Sequence, residues 1–171
     1  MALPKRTKVV SLEFSRKALI YDISNCAYVE GDVMPADDEH SKHQVFDIAE
    51  DGNIDRVTRI LDLAHAECVE MMYPYTKVEC EEVEQLENSL DETEVYTIRL
   101  LVPDDMAKST ITLINKLVHE YMVNRVLADW LSITKPSSKA NWEDKLEKIK
   151  DEIRTRLNAR CLRVRRVQTP F

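Results

Sequence analysis

Few residues in this chain are arranged for chemistry. The tightest cluster is Asp37-Asp38-Glu39-His40, with His43 three residues further on. Carboxylates and two imidazoles are ligand types for a divalent metal. Three consecutive acids point in different directions, however, and no second matching pair occurs elsewhere, so a solvated inter-helix loop is the expectation. His65 and His119 fall within apolar helical faces. Either could act as a general base near neutral pH. No serine or cysteine stands in a recognisable nucleophile setting, so core or helix-crossing histidines tied by one hydrogen bond are expected. Residues 79–94 hold eight acids and no base. Calcium would want the DxDxDG spacing and glycine turn of an EF-hand loop, which this run lacks. Its reading is solvation, or contact with a basic partner. No catalytic residue, cofactor site or metal site is expected.

The charges themselves are sorted. Residues 154–171 carry six arginines and no acid, and residues 1–19 carry five bases against Glu13. The whole chain is −7, so residues 20–153 carry −17. An acidic body with two basic ends suits head-to-tail packing of copies, or ends that grip another molecule. Arg163, Arg165 and Arg166 could pair with phosphates. A pI near 5.2 opposes a long nucleic acid over most of the surface, and no aromatic-interleaved basic strand is present. Contact with an acidic protein surface, such as residues 79–94 of a neighbouring copy, is preferred to DNA, which only the tail could touch. The interface residues singled out are Glu81, Glu82, Glu84, Arg163, Arg165, Arg166 and Phe171.

The elements that must position these groups are mostly helical. The chain has 171 residues, enough for one domain with one substantial core. Only two are glycine, and there is no GxGxxG or GxxxxGK[ST], which weighs against Rossmann and P-loop enzymes. Cys26, Cys68, Cys80 and Cys161 form no CxxC pair, so reduced thiols in a cytosolic compartment are expected. No apolar h-region follows Met1, and no apolar run reaches the ~18–20 residues that span a bilayer.

Along the chain, residues 1–14 read as an extended arm, and Ser15 is placed to cap the helix that follows. Gly31 and Pro35 close that helix. A polar connector leads to a short helical turn at 45–49, and Asp51-Gly52-Asn53 is a turn signal. A helix over about 54–73 stops at Tyr73-Pro74-Tyr75. Tyr96, Ile98, Leu100 and Val102 alternate with Val95, Thr97, Arg99 and Leu101, a strand period. With residues 77–83 as the other arm, this predicts a protruding β-hairpin at 78–102. The longest helix is expected over about 105–132. The last, about 141–160, has Asn141 as cap and the seam Trp142, Leu146, Ile149, Ile153, Leu157. Residues 161–171 form a basic tail. The fold class is mainly α: a single helical domain of four to five helices with one protruding β-hairpin. An echo at an offset of 54 aligns Thr58, Ile60, Leu63, His65 and Val69 with Thr112, Ile114, Leu117, His119 and Val123; shared helix periodicity accounts for it.

Three stretches carry a resemblance: Tyr21-Asp22-Ile23-Ser24-Asn25 through Glu30-Gly31-Asp32-Val33, Asn53-Ile54-Asp55-Arg56-Val57-Thr58-Arg59, and the segment from His119-Glu120-Tyr121-Met122-Val123 to Asp129-Trp130-Leu131. They resemble an uncharacterised family of proteins encoded in phages and prophages of gut Bacteroidales, and the likeness runs along most of the chain. The architecture is also similar to tailed-phage head–tail connector (adaptor) proteins, which are small helical bundles forming rings between portal and tail. What this implies is a structural, non-enzymatic, ring-forming connector or neck protein. Its partners would be copies of itself and other virion proteins, with no membrane, and its location the host cytoplasm during assembly and then the virion. The alternative is a small host-directed binding or regulatory module whose acidic segment engages a basic partner.

Overall fold

The computed structural model describes residues 7–35, 39–80 and 92–158. The elements run β1 (Thr7–Ser15), α1 (Arg16–Asp32), α2 (Glu39–Phe46), a 3-10 turn (Asp47–Ala49), α3 (Ile54–Met71), α4 (Lys77–Cys80), β2 (Val95–Pro103), α5 (Lys108–Thr134), a 3-10 turn (Pro136–Ser138) and α6 (Lys139–Leu157). The fold is mainly α: the described residues form a bundle of four long helices and two short ones, with one two-stranded antiparallel sheet.

The helix α5 lies at the centre because it cannot be satisfied by one buried face. Tyr121, Met122, Val123 and Asn124 are all buried, as are Val126, Leu127 and Ala128. A helix that is apolar on most sides must be surrounded, and α1, α3 and α6 pack around it. Against it α6 offers a narrow stripe of Trp142, Leu146, Ile153 and Leu157, the seam its spacing predicts. From α3 come Val57, Leu61, Ala64 and Cys68.

The sheet is where the sequence expectation needs correction. Strand β2 pairs with β1, from Thr7 opposite Pro103 to Ser15 opposite Val95, and, among the described residues, not with the segment that begins at Lys77. Lys77–Cys80 is a single helical turn. The physical reason is the apolar pattern. Leu12 and Phe14 are buried on the same side as Tyr96, Ile98, Leu100 and Val102, so the pairing lays one continuous apolar face on the helices. The segment Lys77–Cys80 offers only Val78 and Cys80, with the acid Glu79 between them. The N-terminal arm is therefore extended, as expected, but from Thr7 onward it is part of the sheet.

Helix ends depart from expectation in smaller ways. Ser15 occupies the cap position of α1 but makes no side-chain cap bond. Asn141 lies inside α6, whose cap position is Ser138. The Ser138 hydroxyl donates instead to Glu30 Oε1 at 2.6 Å, and Lys135 Nζ donates to the same oxygen at 2.9 Å. Burial pushes the Glu30 carboxyl up, but these two bonds outweigh it and hold the group below its ordinary value. They tie the end of α1 to the turn between α5 and α6. Helix α5 starts at Lys108, later than its acids suggest. Asp104 and Asp105 form a turn in which Lys8 Nζ donates to the carbonyls of Asp104 and Met106, each at 3.2 Å.

Gly31 sits where α1 meets α2. A Cβ there would overlap the Phe46 ring, which stacks on Tyr28 at 5.1 Å between centroids. Gly31→Ala should therefore destabilise the fold by about 1–2 kcal/mol, overpacking outweighing the gain of up to ~1 kcal/mol in helix propensity. Urea unfolding checks this. Adding Phe46→Leu should recover at least half the loss, and no recovery would show that the ring is not what the added methyl group strikes.

Candidate interaction surface

The seven interface residues singled out from the sequence, Glu81, Glu82, Glu84, Arg163, Arg165, Arg166 and Phe171, lie outside the described residues. Both ends of the acidic run are visible, and neither is simply solvated. Glu79 accepts the Arg99 backbone N–H at 2.7 Å and its guanidinium at 3.0 and 3.2 Å. Those side-chain bonds, aided by the backbone N–H, hold the Glu79 carboxyl below its ordinary value despite partial burial. At the other end, Arg16 reaches Glu92 at 3.2 Å and the Thr58 hydroxyl at 2.7 Å, and its backbone N–H donates to the Glu94 carbonyl at 3.0 Å. The run is thus tied to β2 at its start and to α1 at its end.

The histidines hold elements together. His65 Nε2 lies 2.9 Å from the Thr97 carbonyl and so donates to it, linking α3 to β2. His119 Nε2 meets Asp22 Oδ2 at 2.7 Å, linking α5 to α1. His40 and His43 sit together on α2, where the Gln44 side chain is 3.3 Å from His40. Among the described residues no three His, Cys, Asp or Glu side chains are grouped to hold a metal ion.

Sequence reasoning missed a pair of buried tyrosines on acids. Tyr96 donates to Asp62 and Tyr121 to Glu67, each at 2.8 Å. The acids lie on α3, five residues apart, and their partners come from β2 and α5. Only tertiary structure joins them, so no local pattern could reveal them. Burial first, then donation to a carboxylate, raises both phenol pKa values above the ordinary range, which keeps them protonated and unfit as bases at neutral pH. Arg125 completes the second pair at 3.2 Å from Glu67. This trio lines an open groove of about 360 Å³ with Glu143, Leu146 and Lys150. The Cys26 and Cys68 thiols are similarly unreactive. Burial raises Cys68 strongly, and burial with Glu120 and Asp22 raises Cys26, so neither is poised as a thiolate.

Part of the surface is apolar. Along α1 the outward positions include Tyr21 (71% exposed), Tyr28, Val29 and Val33 (76% exposed). Spacings of seven and four place each pair on one side of the helix. Single exposed apolar residues are ordinary; four on one helix make a patch of the kind that marks protein contacts. Among the described residues, no helix is long and apolar enough to cross a membrane.

No protein-family model, no curated protein and no solved structure matches this chain.

Two outcomes test the electrostatic reading. The Glu79 carboxyl is depressed on folding, so its stabilisation is complete above the ordinary value of 4.5 and is lost as pH falls through the lower folded value. Glu79→Gln should therefore cost stability at about pH 6 and progressively less towards about pH 3. A wild-type-to-variant gap that stays constant over that range in denaturant titrations would refute the Arg99 pairing. Separately, replacing both His40 and His43 with Ala should change stability by no more than about 0.5 kcal/mol, as for ordinary surface positions. A stoichiometric metal in purified protein, lost in the double variant, would overturn that expectation.

Proposed function

We propose that this chain is a structural, non-enzymatic phage component that assembles with copies of itself, as a ring-forming head–tail connector or neck protein. The observation that carries the reading is the exposure of Tyr21, Tyr28, Val29 and Val33 along α1 and its cap; among the described residues only Phe46 stacks on this surface, at Tyr28. Association buries such a patch, and the hydrophobic gain of about 25 cal/mol per Å² is its main driving force. The sorted charges then orient the copies. An acidic body of −17 over residues 20–153 and an end of +6 over 154–171 attract head to tail and repel head to head. A heterologous contact of that kind closes into a ring when its rotation permits.

The helical bundle and its two-stranded sheet are consistent with the connector likeness, which is one of architecture. Copies of the chain and other virion proteins are the partners in this reading, and any nucleic-acid contact belongs to the tail. The chain would act in the host cytoplasm during assembly and then in the virion.

Light scattering tests it. The average mass of concentrated protein should exceed that of the 19.9 kDa chain and fall as salt rises from about 50 to 500 mM, because screening shortens the reach of exposed charges to a few ångströms. Tyr21→Ser with Val33→Ser should weaken association at least tenfold, while stability stays within about 0.5 kcal/mol of wild type. A monomer at every salt and protein concentration contradicts the proposal. So does association that ignores both salt and the α1 substitutions.

A further inference from the structure

The two edges of the sheet are treated differently. Along β2 three of the outward backbone groups are occupied. The Leu101 N–H donates to the Tyr75 carbonyl at 2.7 Å, the Arg99 N–H to Glu79 at 2.7 Å, and the Thr97 carbonyl accepts from His65 at 2.9 Å. In an antiparallel ladder, residues directly opposite turn the same way: both towards each other or both away. Val9, Ser11 and Glu13 stand opposite Leu101, Arg99 and Thr97, so their backbone groups face away from β2. Among the described residues these outward groups of β1 have no hydrogen-bond partner.

That edge also lacks the usual protection. It is nine residues long, pairs without a bulge and contains no proline. Its outward side chains are Val9, at 58% exposure, Ser11, Glu13 and Ser15, with a single charge among them. An edge this long and plain is a template for another strand.

We propose that the outer edge of β1 is a strand-acceptor site, and that its occupant is residues 161–169 of a neighbouring copy. The neighbour rests on the self-assembly reading; the open edge stands without it. Length and composition fit the occupant. Helix α6 ends at Leu157, and residues 159–171 follow it, enough to extend ~43 Å at ~3.3 Å per residue against ~30 Å for a nine-residue strand. Leu162 and Val164 alternate with Arg163 and Arg165, Arg166 ends the alternation, Val167 and Thr169 add β-branched residues, and proline waits until 170. This pattern is compatible with a strand. Charge fits as well. With Leu162 and Val164 on the side of Val10 and Leu12, Arg163 and Arg165 fall on the side of Glu13, where opposite charges across strands are favourable; Arg166 falls on the apolar side, beyond its two aliphatic residues.

Hydrogen exchange of the Val9, Ser11 and Glu13 amides, followed by NMR on the full chain, tests this directly. At concentrations where the chain associates, the three amides should exchange at least ~100-fold more slowly than free amides, and dilution to monomer should release them. Val164→Pro removes a donor N–H in the incoming segment, far from the described core, and should release them as well. Ser11→Pro should weaken association at least tenfold while leaving the β2 ladder intact, because its lost N–H faces outward; Val164→Pro serves the same purpose should Ser11→Pro misfold. Free exchange in associated protein overturns the proposal and leaves self-assembly on another surface. Protection that survives Val164→Pro also overturns it, pointing to pairing of two β1 strands. Protection unchanged in the monomer overturns the neighbour's role, since the chain's own tail would then fill the edge. Free amides in a chain that never associates defeat both readings.

Discussion

The rest of the structure hangs on the pairing of residues 7–15 with residues 95–103. Closing a loop of that length costs chain entropy, though the cost grows only logarithmically with loop size. What offsets it is the burial of one apolar face, Leu12, Phe14, Tyr96, Ile98, Leu100 and Val102, against the helices. The pairing also fixes where helices begin. Ser15 hands directly to α1 and Pro103 leads through one turn to α5, so both helices leave the sheet from set positions. The polar contacts that follow, such as His119 with Asp22 and Lys8 with the turn at Asp104, depend on that placement.

Around the core the polar groups act as ties between elements. Glu30 binds α1 to the turn between α5 and α6, Glu67 binds α3 to α5, and Arg99 with Glu79 binds β2 to α4. Each joins partners far apart in sequence, and each sits partly shielded from water, where such contacts hold better than on open surface. The titratable chemistry of the interior is thereby consumed in holding the fold. Tyr96 and Tyr121 stay protonated, the Cys26 and Cys68 thiols are pushed away from reactivity, and His65 and His119 are bonded to neighbouring elements. Left over are exposed apolar positions on α1 and, among the described residues, an unpaired outer edge on β1.

Much of the helical fold was legible in the sequence because its signals are local. The seam of Trp142, Leu146, Ile153 and Leu157 shows as periodicity, and Tyr96 to Val102 read as a strand. The partner of that strand was not legible. Alternation tells that a strand has two faces, but not which other strand lies beside it, and residues 77–83 are nearer in sequence than the arm. Cap residues misled for a related reason: Ser138 is claimed by Glu30 from 108 positions away. At the candidate surface, the exposure of Tyr21 and Val33 was hidden because an apolar residue on a helix reads as core until its neighbours are known. The acidic run could be read as a charge feature, while its anchoring through Arg99 and Arg16 could not.

Electron microscopy of the purified protein tests the central claim, that this chain is built to assemble with itself, most directly. The account predicts closed particles of uniform diameter containing a fixed number of copies at high concentration and low salt. Fields of single 19.9 kDa chains under those conditions, or open aggregates without a repeating contact, would contradict it.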